Sequence, residues 1–189
     1  MRLFFIRHGQ AEHNRFLIIN ETDQRVSNLT SQGREEALDS AKEIKKEVDL
    51  DIIYCSPLTR CRQTAEIVKN EQADPKLKVK IDKRLAEFKT GFNNQFALIW
   101  LVRLFLSKNK LTKKFKGGQS IAESLKLVED FWQEIHAEHL EQNVLIVAHL
   151  NTFQMFCHFL YDKQLKPPWR QQFFLNTGEF HEFKPKSRK

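Results

Sequence analysis

Three cysteines in 189 residues, none in a C-x-x-C pair, leave little from which to build a disulfide framework or a zinc site. Cys55 and Cys61 fall where a strand end and a helix face are expected, and with Cys157 they read as small buried hydrophobes. No secretory signal is evident, since the apolar run at the start is four residues long and closes on Arg7-His8; a cytoplasmic protein is expected. No apolar run is long enough to cross a bilayer, so no transmembrane segment is expected. Internal repeats, low-complexity tracts and linkers are also missing, and residues 1–189 read as a single domain. Acid is absent over a long stretch. From Phe88 to Ala122 there is no Asp or Glu, while Lys89, Arg103, Lys108, Lys110, Lys113, Lys114 and Lys116 are basic. Those seven match the whole chain's formal charge of +7, so this one segment carries a surplus as large as the total. Such a field concentrates anions, and residues 103–116 are suited to an anionic surface such as nucleic acid or an acidic membrane.

What is present alternates. Leu3-Phe4-Phe5-Ile6, Ile52-Ile53-Tyr54-Cys55 and Val144-Leu145-Ile146-Val147-Ala148 are short apolar runs that read as buried strands. Residues 77–81 and 179–183 read as further, more polar strands. Between them lie helical patterns. Residues 31–48 follow Thr30 as N-cap and place Ala37, Leu38, Ala41, Ile44 and Val48 on one face. Ser56 as cap and Pro57 at the first helical position open a second helix, with Leu58, Cys61, Ala65 and Val68 as its buried stripe. Residues 120–140 repeat Ile121, Leu125, Val128, Trp132 and Ile135 at spacings of three and four, and residues 151–160 form another helix. Strands separated by helices imply βαβ crossovers, hence a three-layer α/β/α fold around a mostly parallel sheet.

In an open parallel sheet, ligands bind beyond the carboxyl ends of the strands. Three of the apolar runs stop at chemistry: the first at Arg7-His8-Gly9, the second at Ser56-Pro57-Leu58-Thr59-Arg60, the third at His149. Arg60 falls in the first turn of its helix, where free N–H groups and the helix dipole already favour an anion. Two arginines beside two histidines suit a phosphate dianion. Arginine supplies paired donors for phosphate oxygens, and histidine serves as nucleophile or donor according to its protonation.

These residues carry a resemblance. Arg7-His8-Gly9 followed by Asn14 is similar to the RHG…N signature of the histidine phosphatase superfamily, also called phosphoglycerate-mutase-like. Leu29-Thr30…Gly33…Ala37 partly matches LTxxGxxQA, and residues 56–65 closely match SPLxRAxQTA. Leu85-Ala86-Glu87 with Gly91 resembles LxE…G, Gly117-Gly118-Gln119-Ser120 resembles GGES, and residues 144–149 resemble VLIVSH. The six stretches stand in family order from about residue 2 to 152.

The resemblance implies a phosphomonoester hydrolase acting through a phosphohistidine on His8. Arg7, Arg60 and His149 would hold the non-bridging oxygens, Asn14 would add a hydrogen bond, and Glu87 would be the general acid and then the base. That last role asks for a carboxyl raised in pKa by partial burial. The implied substrate is a phosphorylated small molecule or a phosphoprotein, with no metal or other cofactor. A phosphoglycerate-mutase-type phosphotransferase and a non-catalytic phosphate-pocket binding protein are the alternatives.

The chain also departs from the family. Leu150-Asn151 stand where the family has Gly after its second histidine, and a side chain there crowds the approach to phosphate. Gln119 replaces the Glu of GGES and Ala148 the usual Ser. Residues 88–118, basic and apolar, form an insert or lid region, with 92–106 apolar nearly all round. That segment is suited to covering the sheet or sealing a homodimer, to capping the substrate site, or to lying in a membrane interface. Its character favours an apolar or polyanionic leaving group over a small sugar phosphate. Glu12 competes with Glu87 as the acid, and Arg62 reads as a solvated helix residue. His136 and His139 have a metal-ligand spacing but no third ligand, so they read as a solvated face, and His13 lies near the pocket rim.

Overall fold

Strand β1 (Arg2–Arg7) alternates its side chains across the sheet: Leu3 and Phe5 enter one apolar layer, Phe4 and Ile6 the other. The same split runs through β2 (Ile52–Cys55) and β4 (Asn143–Ala148), whose apolar residues are buried on both faces. That two-sided burial is why these strands read as continuous hydrophobic runs. The computed structural model describes residues 1–106, 112–161 and 174–184.

Among the described residues the sheet has five strands in the order β3-β2-β4-β1-β5. Strand β3 is Lys78–Ile81, and β5 is Phe180–Phe183. Strands β1 to β4 run parallel, and β5 pairs antiparallel with β1 at the edge. Helices α1 (Ser31–Glu47) and α2 (Thr59–Gln72) cover the face of Phe4, Ile6, Ile53 and Val147. Helices α4 (Ile121–Glu138) and α5 (Leu150–Leu160) cover the face of Leu3, Phe5, Tyr54 and Ile146. The architecture is therefore the three-layer α/β/α sandwich with a mostly parallel sheet.

Local signals explain most boundaries. Thr30 caps α1 by accepting from the Gly33 N–H, and Ser120 with Glu123 forms a reciprocal capping box at the start of α4. Three expectations are corrected. Helix α2 begins at Thr59 rather than at Pro57, because the Ser56 hydroxyl is engaged elsewhere and Leu58 occupies the cap position. Leu38 is 37% exposed, off the buried stripe of Ala37, Ala41 and Ile44. His139 is buried rather than solvated, bonded to the Tyr54 hydroxyl at 2.8 Å and to Gln142.

Helix α3 (Ala97–Phe105) occupies part of the apolar stretch, with Trp100 and Leu104 buried in the core. Its approach is stitched to the segment after β1 by an antiparallel bridge between Ile18 and Phe96 and by the Ala97 N–H on Leu17 O at 3.0 Å. Lys108 and Lys110 of the basic segment lie outside the described residues. No helix among the described residues is long and apolar enough to cross a membrane.

Candidate active site

Because β4 lies between β2 and β1, the three strand ends that stop at chemistry meet at one edge of the sheet. Arg7 is level with Ala148, and Cys55 with Val147. The ladder continues one residue further on each side: His8 N–H reaches Ala148 O, and Ser56 N–H reaches Val147 O, both at 3.0 Å. His8 and His149, far apart in sequence, thereby place their rings 5.3 Å apart. The turn after β1 must also pass close to α1. A Cβ on Gly9 would sit 2.0 Å from Gly33 O, so glycine at both positions lets the loop approach the helix.

Hydrogen bonds orient both rings. His8 Nδ1 lies 2.8 Å from Gly9 O, which can only accept, so Nδ1 carries the proton and Nε2 keeps a free electron pair. That pair accepts from Arg60 Nε–H at 3.1 Å. The Ser56 hydroxyl accepts from Leu58 N–H and stands 2.8 Å from His149 Nε2. On the other side of the ring Arg60 Nη2, which can only donate, lies 3.3 Å from Nδ1. Glu87 Oε2 stands 3.4 Å from that nitrogen and 3.7 Å from an Arg60 guanidinium nitrogen.

Arg60 is fully buried, its guanidinium held by Asn20 through both the side-chain and main-chain oxygens, at 2.8 and 2.9 Å. A buried cation is costly unless compensated. Here two polar oxygens and one nearby carboxylate partly compensate it, leaving room for an anion. Arg7 is tethered to Leu175 O at 2.9 Å at the cavity edge. Asn14 fixes its amide by accepting from Ala11 N–H, which turns Nδ2 toward the imidazole of His13. Glu87 is oriented by two donors on one oxygen, Asn151 Nδ2 at 2.9 Å and Phe88 N–H at 3.0 Å.

Burial, reinforced by the Arg60 and Arg7 charges, holds His8 well below the usual histidine range. His149 is lowered likewise by burial and by Arg60, and His13 falls to about 3 for the same reasons. All three are neutral near pH 7, as a nucleophilic imidazole requires. The carboxyl of Glu21, also buried, is raised by desolvation although Thr90 donates to it through N–H and hydroxyl.

A cavity of about 250 Å³ opens over these groups, lined by Arg7, His8, His13, Asn14, Glu87 and Asn151. Asn20 and Thr90 also line it, and the rest of the wall is apolar, chiefly Leu17, Ile18, Ile19, Phe88, Trp100 and Leu150. A second cavity of about 350 Å³ lies on the far side of Glu87, bordered by Lys83, Arg84, Lys89 and Gln119. All six residues singled out from sequence (Arg7, His8, Asn14, Arg60, Glu87 and His149) come together here. Leu150 stands in the cavity wall and Asn151 turns onto Glu87, so the departure from glycine supplies a wall and a donor. Glu12 is exposed, and Arg62 is exposed with Asp23 3.7 Å away. His136 stacks on Trp132, away from the site, and among the described residues no group of three His, Cys, Asp or Glu could hold a metal ion.

Sequence reading missed Asn20, Ser56 as a histidine partner, Glu21 and Asn151. The residues after His149 drew attention only as a departure, and that was the one available signal.

Against known proteins, the family model described as histidine phosphatase superfamily (branch 1) matches residues 3–188. Phosphoserine phosphatase 1 of Hydrogenobacter thermophilus is 27% identical over 171 residues, covering 85% of this chain and 76% of the relative. A 2,3-bisphosphoglycerate-dependent phosphoglycerate mutase of Bartonella bacilliformis is 29% identical over 161 residues, covering 80% and 77%. Among solved structures, the α-ribazole phosphatase of Shigella flexneri superposes with a TM-score of 0.78 at 23% identity, over 96% of this chain and 89% of the other. At that identity the structural likeness is one of fold.

Proposed function

The chain belongs to the histidine phosphatase superfamily and is a phosphomonoester hydrolase, and we propose that it works through a phosphohistidine formed on His8. One observation carries the reading: a neutral His8, its Nε2 pair held by Arg60, lines a pocket with Arg7 and a single oriented carboxyl, Glu87, which stands within 4 Å of Arg60 and His149.

The substrate phosphate displaces the Arg60 contact on His8 and takes the Arg60, Arg7, Asn14 and His149 donors for its non-bridging oxygens. His8 Nε2 attacks phosphorus as the ester P–O bond breaks, and Glu87 gives its proton to the departing oxygen, releasing an alcohol. Water then enters. Glu87 takes a proton from it, the water oxygen attacks phosphorus, and the N–P bond breaks to leave inorganic phosphate and neutral His8. The apolar wall of Leu17, Ile18, Ile19, Phe88, Trp100 and Leu150 supports a phosphomonoester with an apolar leaving group. A cytoplasmic setting accords with three buried cysteines that form no disulfide with one another.

The test is phosphate release from an aryl phosphate in EDTA, comparing wild type with His8→Ala, together with acid-quenched capture of the labelled protein. Turnover and label that both vanish in the variant are the expected result. Turnover that survives His8→Ala would sink the mechanism. Small sugar phosphates that outrun aryl and alkyl phosphates in kcat/KM would sink the substrate class.

A further inference from the structure

Helix α3 turns two apolar faces outward and inward at once. Trp100 and Leu104 are buried, while Leu98, Ile99, Val102, Phe105 and Leu106 are between 41% and 76% exposed. At 100° per residue those five fall within an arc of about 120°. The exposed face does not stand alone. Phe96, 60% exposed, pairs through its backbone with Ile18, and Leu17, 74% exposed, accepts from Ala97 N–H. Phe16 adds a further ring at 60% exposure. Leu17 holds a left-handed backbone with φ of 53°, a strained state for a bulky residue that displays its side chain at the cavity mouth. Leu17, Ile18, Ala97 and Trp100 line the cavity itself, so the outer patch runs into the apolar wall of the site.

Cations border the patch. Arg15 lies beside Phe16 on one flank. On the other, Arg103 stands over the Phe92 ring, which contacts Phe115, and Lys113 and Lys116 flank that residue, all three cations exposed. The segment from 88 to 122 that carries them has no Asp or Glu of its own.

We propose that this face docks on a lipid bilayer containing anionic headgroups, with the α3 side chains entering the interface and the mouth of the His8 cavity opening beside it. An apolar helix face beside exposed cations has the two attractions such a surface offers, apolar insertion and charge. A second copy of the chain fits less well. A second patch would bring those cations apolar side chains and further cations, Arg15, Arg103, Lys113 and Lys116, but no acid from residues 88–122. The consequence for substrate rests on the phosphatase reading: an amphiphilic phosphomonoester anchored in the bilayer would reach His8 while its apolar part stays against Leu17 and Trp100.

The test is flotation of the full chain with phosphatidylcholine vesicles, with and without phosphatidylglycerol, at low and high salt. Wild type and His8→Ala should both float with the anionic vesicles and much less with neutral ones or at high salt. Val102→Glu with Phe105→Glu should lower partition at least about tenfold. Lys113→Glu and Lys116→Glu should each lower it about fivefold or more. Unchanged turnover of a soluble aryl phosphate in these variants certifies their fold. Absence of flotation with anionic vesicles, or equal flotation with neutral ones, overturns the proposal. So does a dimer in light scattering that Val102→Glu dissociates without any vesicle binding. A chain that floats but releases no phosphate would count against the phosphatase mechanism alone, and one that releases phosphate but does not float against the docking surface alone.

Discussion

Asn151 Nδ2 donates to Glu87 Oε1 at 2.9 Å, so the first turn of α5 aims the carboxyl that stands beside His149. The other donor to the same oxygen is the Phe88 N–H of Glu87's own chain neighbour. Together they leave Oε2 as the oxygen directed at the reacting centre.

If Asn151 positions the acid, its removal should matter in proportion to the leaving group's need for a proton. Asn151→Ala is expected to lower kcat about 10- to 100-fold for alkyl phosphates. Turnover of 4-nitrophenyl phosphate, whose leaving group departs without protonation, should change much less. Equal losses on both substrates would contradict the assignment.

The buried guanidinium of Arg60 depends on Asn20 for two of its hydrogen bonds. Asn20→Ala should weaken inhibition by inorganic phosphate or vanadate about tenfold or more, since a charged hydrogen bond contributes about 1.5–3 kcal/mol. Arg60→Lys should not substitute for Arg60, because an ammonium cannot span His8, Asn20 and an oxyanion at once. Phosphate affinity unchanged in Asn20→Ala would refute the tether.

The Ser56 hydroxyl stands 2.8 Å from His149 Nε2 and so holds one side of the ring. Ser56→Ala removes that partner, and the balance between the ring's tautomers should change. The ¹⁵N shifts of the His149 ring should report the change, and kcat should fall about tenfold or more, in line with the loss of one preorganised partner. An unchanged ¹⁵N pattern would dispose of the idea.

Three neutral histidines also make stability pH-dependent. His8, His149 and His13 are all lowered from the ordinary value near 6.5, so below that pH the unfolded chain binds protons that the folded chain refuses. Their contribution is complete above pH 6.5 and shrinks as pH falls, at up to about 1.4 kcal/mol per pH unit for each histidine that stays neutral in the fold. Urea midpoints should therefore drop between about pH 6.5 and 5, before most carboxylates titrate. A flat profile across that window would mean the imidazoles are not held neutral.

How much of this could be read along the chain follows from the range of each interaction. Two-sided burial writes itself into Leu3-Phe4-Phe5-Ile6 and Val144-Leu145-Ile146-Val147 as unbroken apolar runs. Capping writes itself into Thr30 with Gly33 and Ser120 with Glu123, because donor and acceptor lie three residues apart. His8, Arg60 and His149 were visible for the same reason, since each directly ends a strand or opens a helix. Their companions were not. Ser56 meets His149 across 93 residues, Asn20 meets Arg60 across 40, and Asn151 meets Glu87 across 64. No local periodicity records such pairs. They arise only once β4 inserts between β1 and β2 and brings three strand ends to one edge, so the shape and charge of the pocket belong to the sheet's order. The outward face of α3 has the same origin: apart from Arg103 its residues are apolar all round in sequence, and packing chose which of them, Trp100 or Val102, would meet water.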